Sequence, residues 1–129
     1  MYIPASFREE RSEELHALMR AHPLGTLVTQ SSNGLMASPL PFLLDDANGE
    51  QGVLRAHMAR ANPHWKSLTE GAECLVIFTG PDGYVSPDWY PSKAATHKAV
   101  PTWNYAAVHV RGRLRVVDDT AWILSLIHI

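Results

Sequence analysis

The segment His57-Met-Ala-Arg-Ala-Asn-Pro-His-Trp65 places a guanidinium, Arg60, just ahead of a helix signature in which Asn62 is the N-cap and Pro63 the first helical residue. Unpaired N–H groups at a helix start favour an anion, and a guanidinium adds bidentate hydrogen bonds, so the pattern suits a phosphate. A solvated loop charge beside an ordinary cap would look the same. A second group, Val100-Pro-Thr-Trp-Asn-Tyr105, offers aromatic faces and a few polar contacts, which a planar ligand needs. The alternative there is a core corner with Trp103 buried and Asn104 closing the turn. Lys93 and Lys98 precede it as candidate phosphate or partner contacts, or as solvated charges.

Other chemistry finds less support. There is no Gly-x-Ser-x-Gly, no His-Glu-x-x-His, no Walker loop and no Gly-x-Gly-x-x-Gly after a strand. The seven histidines are scattered, and His57 with His64 straddles a strand end and a helix, so no metal site is expected. His109, Arg111, Arg113 and Arg115 alternate on one strand face, where phosphates, a dimer mate or water could meet them.

These residues need elements to hold them. Leu15, Leu18, Met19 and His22 recur at helical spacing and predict an amphipathic helix over 11–21, with Ser12 as N-cap and Pro23 as its stop. The Ser6-to-Glu9 spacing offers an earlier start as a capping box. Thr26 to Gln30, an Asn33-Gly34 turn and an extended run from Leu35 predict a hairpin. Pro39 and Pro41 lack ladder donors, so the second strand should be an edge or leave the sheet near Ser38. A strand near Gln51 to His57 follows, then a short helix from Pro63 through Leu68 to Gly71.

Cys74 to Phe78 is continuously apolar and reads as a central strand buried on both faces. The stretch from Gly80 to Pro101 has no sustained period and reads as a long functional loop. Val108 to Val116 alternates strictly, and Asp118-Asp119 begin a last helix. Five or six mostly antiparallel strands with peripheral helices make an antiparallel barrel or sheet.

The 129 residues, 46% hydrophobic and 19% charged, suit one globular domain, 1–129. A formal charge of −2 gives no field that favours nucleic acid as a whole. One cysteine, no signal-peptide pattern and no membrane-length apolar run point to a soluble cytoplasmic protein.

Taken in order, several motifs resemble the PaiB-type FMN-binding negative transcriptional regulators of the FMN-binding split-barrel superfamily. They are Tyr2-Ile-Pro4 with Phe7, Leu40-Pro-Phe-Leu43, His57 to Pro63 with Trp65, and Gly80-Pro81 leading to Tyr84-Val-Ser-Pro87 and Trp89-Tyr90. Lys93, Val100 to Tyr105, Val108, Gly112 and Val117-Asp118 continue the likeness, which covers Met1 to about Ile123. The resemblance implies a six-stranded antiparallel split barrel, a homodimer, and FMN at the dimer interface. It implies cofactor contacts at His57, Met58, Arg60 and Asn62, with Lys93 reaching in and Trp103 and Asn104 lining the flavin cleft.

Members of that family continue past Trp122 with a helix and a further strand. The apolar Leu124 to Ile129 does not resemble that continuation, so the expectation is a barrel over 1–118 and a truncated helix over 119–129. Two functions follow from the resemblance: a flavin-binding negative regulator, or an FMN-dependent oxidoreductase or flavin reductase in which the flavin does the chemistry. No helix-turn-helix can be delimited, so direct DNA binding has weak support.

Overall fold

The computed structural model describes residues 1–32, 34–93, 99–119 and 121–122. Lys98, Asn33 of the turn and the 123–129 tail lie outside the described residues. Among the described residues no helix is long and apolar enough to cross a membrane.

The helix α1 (Ser12–Ala21) precedes the strands β1 (Leu24–Ser31), β2 (Gly34–Asp45), β3 (Val53–Ala56), β4 (Glu73–Val85) and β5 (Thr102–Arg113). They form one five-stranded sheet in the order β3-β2-β1-β4-β5, with every neighbouring pair antiparallel. The six strands implied by the resemblance are therefore five among the described residues. Alternation sends Leu27, Leu40, Val76, Phe78 and Val108 to one face of the sheet, where Met19 of α1 joins them in the core. Phe42 and Phe78 meet edge to face with centroids 5.6 Å apart. A Cβ on Gly25 would come within 2.9 Å of Phe78 Cε1 and 3.0 Å of Phe42 and Val76, so only glycine lets these rings approach β1.

The start of α1 differs from expectation. Ser12 is the first helical residue and caps nothing; Arg11 occupies the cap position, and its N–H donates to Glu9 Oε1 at 2.8 Å. The capping box from Ser6 is not formed, because Ala5–Phe7 is an isolated 3-10 turn.

β2 does not leave the sheet, and it is an edge only over the stretch that carries Pro39 and Pro41. Gly34–Pro41 pairs with β1 alone, and Phe42–Asp45 pairs with β3, so the strand is handed from one neighbour to the other at Pro41. The Phe42 N–H donates to Pro23 C=O at 2.8 Å. By alternation the even positions bond toward β1, and Pro39 and Pro41 turn their missing donors to the side with no partner.

β4 is longer and less buried than its apolar run suggests. Val76 and Phe78 face the core while Leu75 and Ile77, on the other face, are only half-buried. The turn chemistry of Gly80 to Gly83 is absorbed into the strand, because β5 supplies a partner and one extra residue is taken up in a bulge between Thr79 and Asp82. The irregular stretch starts at Ser86, not Gly80. β5 ends at Arg113, short of Val116, and Leu114 instead bonds to the Gly71–Ala72 turn. The Pro63 helix is a 3-10 turn ending at Ser67, with Gly71 beyond it at φ +76°.

Candidate functional site

The corner after β3 is organised by a histidine. His64 is fully buried, with Nε2 2.7 Å from Thr29 Oγ1 and Nδ1 2.8 Å from Ser38 Oγ. Thr29 and Ser38 are diagonal neighbours on the core-facing side of β1 and β2. Burial pushes the His64 imidazole below its usual range, so it is neutral there. Its N–H donates to Asn62 Oδ1 at 3.0 Å, and its C=O accepts from Ser67 Oγ at 2.7 Å. The Trp65 indole N–H donates to Arg60 C=O at 2.8 Å. Five hydrogen bonds thus fix the backbone from Arg60 to Ser67.

The corner offers side chains, not a helix terminus. The 3-10 turn is one of five residues, and its leading N–H is already taken by Asn62. Arg60 projects into solvent, about three-quarters exposed, and pairs with Asp118 at 2.7 Å. His57 is exposed beside it in sequence, whereas Met58 packs against the core. An anion arriving here meets the Arg60 guanidinium in competition with the Asp118 carboxylate.

The second set lies elsewhere. Trp103 stands opposite Tyr84 on the β4–β5 ladder, with ring centroids 6.0 Å apart, and its indole N–H donates to Asp82 Oδ1 at 2.8 Å. Tyr105 lies opposite Asp82 on the same face. All three rings are about half exposed. Asn104, opposite Gly83, falls on the other face by alternation, so the ladder separates it from Trp103. Lys93 is at this end too, its ammonium paired with Asp88 after the 3-10 turn Pro87–Trp89.

The corner sits level with the Thr29–Cys74–Gly112 row of the sheet. Trp103 is nine residues along β5 from that row, about 30 Å at the usual strand rise of about 3.3 Å per residue. One chain therefore keeps the Arg60 group and the Trp103 group at opposite ends of β5. Sequence reasoning missed His64, Tyr84 and the Asp82–Trp103 bond. A period-two reading of 82–84 with 103–105 would have found the aromatic ladder, but nothing local marks His64 as buried.

Among the described residues no group of three or more His, Cys, Asp or Glu side chains is placed to hold a metal ion. The group types an FMN needs are present but divided: an exposed guanidinium suited to a phosphate at one end of β5 and exposed aromatic faces suited to a planar ring at the other.

A family model described as "Putative FMN-binding domain" matches residues 1–129. The chain is 38% identical to "Uncharacterized protein YKL070W" of Saccharomyces cerevisiae, over 98% of this chain and 86% of that protein. It is 38% identical to "Uncharacterized protein AN0679" of Emericella nidulans, over 93% of this chain and 58% of that one. It is 32% identical to "Protease synthase and sporulation protein PAI 2" of Bacillus subtilis, over 92% of this chain and 54% of that one. The chain thus spans little more than half the length of the latter two.

Proposed function

The chain belongs to the FMN-binding domain family, and from that premise we propose that it is a dimeric flavin-binding regulator whose FMN lies between two copies. The observation that carries the reading is the separation of the two candidate groups: one small ligand that uses both an Arg60 guanidinium and a Trp103 face takes them from different copies. Arg60, supported by His57, holds the phosphate, and Asn62 sets the turn that presents them. Trp103, with Tyr105 beside it, packs on the flavin ring. Lys93 stands at the same end as a further polar contact, whereas Asn104 lies on the opposite face of the ladder and makes none with that ring. FMN, when bound, supplies one- and two-electron redox chemistry; the protein's residues bind it, orient it and shield it.

The name of the Bacillus subtilis relative links that protein to protease synthesis and sporulation. By analogy, flavin occupancy or redox state would be the signal that this protein reports. The reading requires no DNA contact by this chain, in keeping with its charge of −2.

The test is FMN titration followed by flavin fluorescence. Arg60→Ala is expected to weaken binding by about 1.5–3 kcal/mol, the loss of a charge-assisted hydrogen bond. Asp118→Asn, which removes the competing carboxylate, is expected to tighten it. Stability should change little in either, since an exposed ion pair contributes about 0–1 kcal/mol. Affinity unchanged in both variants removes Arg60 from the site.

A further inference from the structure

β4 runs on past its pairing with β1, which ends at Ile77, and over Asp82–Val85 its partner among the described residues is β5. In this two-stranded ribbon Asp82 lies opposite Tyr105 and Tyr84 opposite Trp103, so one carboxylate and three rings make a block on one face. The other face carries Gly83 and Asn104.

Cross-strand packing accounts for the rings. Tyr84 and Trp103 have centroids 6.0 Å apart and planes inclined by 50°, an aromatic pair of the kind that stabilises a ladder. It does not account for Asp82. Aspartate is disfavoured in strands, and an asparagine would accept the Trp103 N–H equally well without a charge. The Asp82 carboxylate is exposed and has no ion pair with a described residue, while Lys93 at the same end is engaged by Asp88. An indole N–H lies in the ring plane, so its bond to Asp82 turns the edge of Trp103, and not its face, toward the carboxylate. A full negative charge therefore stands beside ring faces that are themselves negative, and both attract a cation.

The kind of cation follows from what is missing. A hard metal ion needs several oxygen ligands, and among the described residues no group of three acidic, histidine or cysteine side chains is placed to supply them. A bare ammonium is compact and strongly hydrated, whereas an alkylated one spreads its charge over methyl groups that pack on rings. The same face of β5 continues to Arg111 and Arg113, so a long polycation would meet like charge. We propose that Asp82, Tyr84, Trp103 and Tyr105 form a binding site for a small alkylated-ammonium cation, its methyl groups against the rings and its charge beside the Asp82 carboxylate. The site goes beyond the flavin reading and does not depend on it, although both ligands would use Trp103.

The experiment follows the indole N–H resonances of the full chain by NMR during titration with choline, and with its neutral isostere in which carbon replaces the charged nitrogen. Trp103→Leu identifies the Trp103 resonance by its absence. Choline is expected to shift that resonance saturably and the isostere to leave it in place. Asp82→Asn keeps the acceptor for the indole and removes only the charge, so the free Trp103 resonance should remain dispersed while choline affinity falls about three- to fivefold, as for loss of an exposed ion pair. Trp103→Leu should abolish binding, read on choline's own methyl signal. Equal shifts by choline and its isostere, no shift by choline, or an affinity unchanged in Asp82→Asn each overturn the proposal. FMN binding by the same samples is scored apart by flavin fluorescence: its failure strikes the flavin reading and leaves the cation site standing, and failure of choline does the reverse.

Discussion

At the scale of single residues the corner depends on a fully buried side chain. His64 is held neutral between two hydroxyls, one ring nitrogen donating and the other accepting. Replacing it with leucine leaves Thr29 and Ser38 buried without partners, at about 1–3 kcal/mol for each unsatisfied hydroxyl. Chemical denaturation at neutral pH is expected to show that loss. The acid side carries a second signature. The unfolded chain takes up a proton on His64 near the ordinary value of 6.5, and the folded chain resists it to lower pH. The unfolded state therefore binds more protons in that window, and stability falls as the pH drops below about 6.5. His109, pushed down by burial and then by the positive charges of the N-terminus and Arg111, acts in the same direction. The slope should shrink in His64→Leu and should not vanish. Arg60 and Trp103 could be named from sequence because guanidinium, cap and aromatic cluster are local patterns. His64 could not, since its burial is decided by Thr29 and Ser38, which lie 35 and 26 residues away.

At the scale of elements, periodicity reported faithfully wherever one neighbour decided the outcome. α1, the β1–β2 hairpin and the alternation of β5 were legible for that reason. It failed where a partner elsewhere in the chain overruled local chemistry. Gly80-Pro81-Asp82-Gly83 would turn the chain in isolation, yet β5 draws it into a ladder. Pro39 and Pro41 forbid a fully paired strand, and β2 accommodates both by exchanging neighbours beyond them. Gly25 shows how tightly the elements are fitted. Gly25→Ala forces a methyl into the Phe42, Val76 and Phe78 contact and is expected to cost about 1–3 kcal/mol, the usual range for overpacking. Thermal unfolding would read it, and a smaller side chain at Phe42 should return part of the loss.

At the scale of the whole molecule, a ligand shared by two copies ties cofactor affinity to protein concentration. On the dimeric reading proposed above, FMN affinity is expected to fall as the protein is diluted, and titrations at several concentrations would reveal it. A concentration-independent affinity would place the flavin within one chain. A different property follows from how the sheet is joined. β1 and β4 share four register pairs, Thr26–Thr29 with Cys74–Ile77, whereas each is laced to its hairpin partner along most of its length. The sheet is in effect two leaves bound at a short spine. Thr29, Ser38 and the His64 turn all belong to one leaf. If the molecule yields first along the spine, the His64 corner travels intact with its leaf and the aromatic ladder with the other, and amides of Thr26 to Thr29 exchange before those deep in either hairpin.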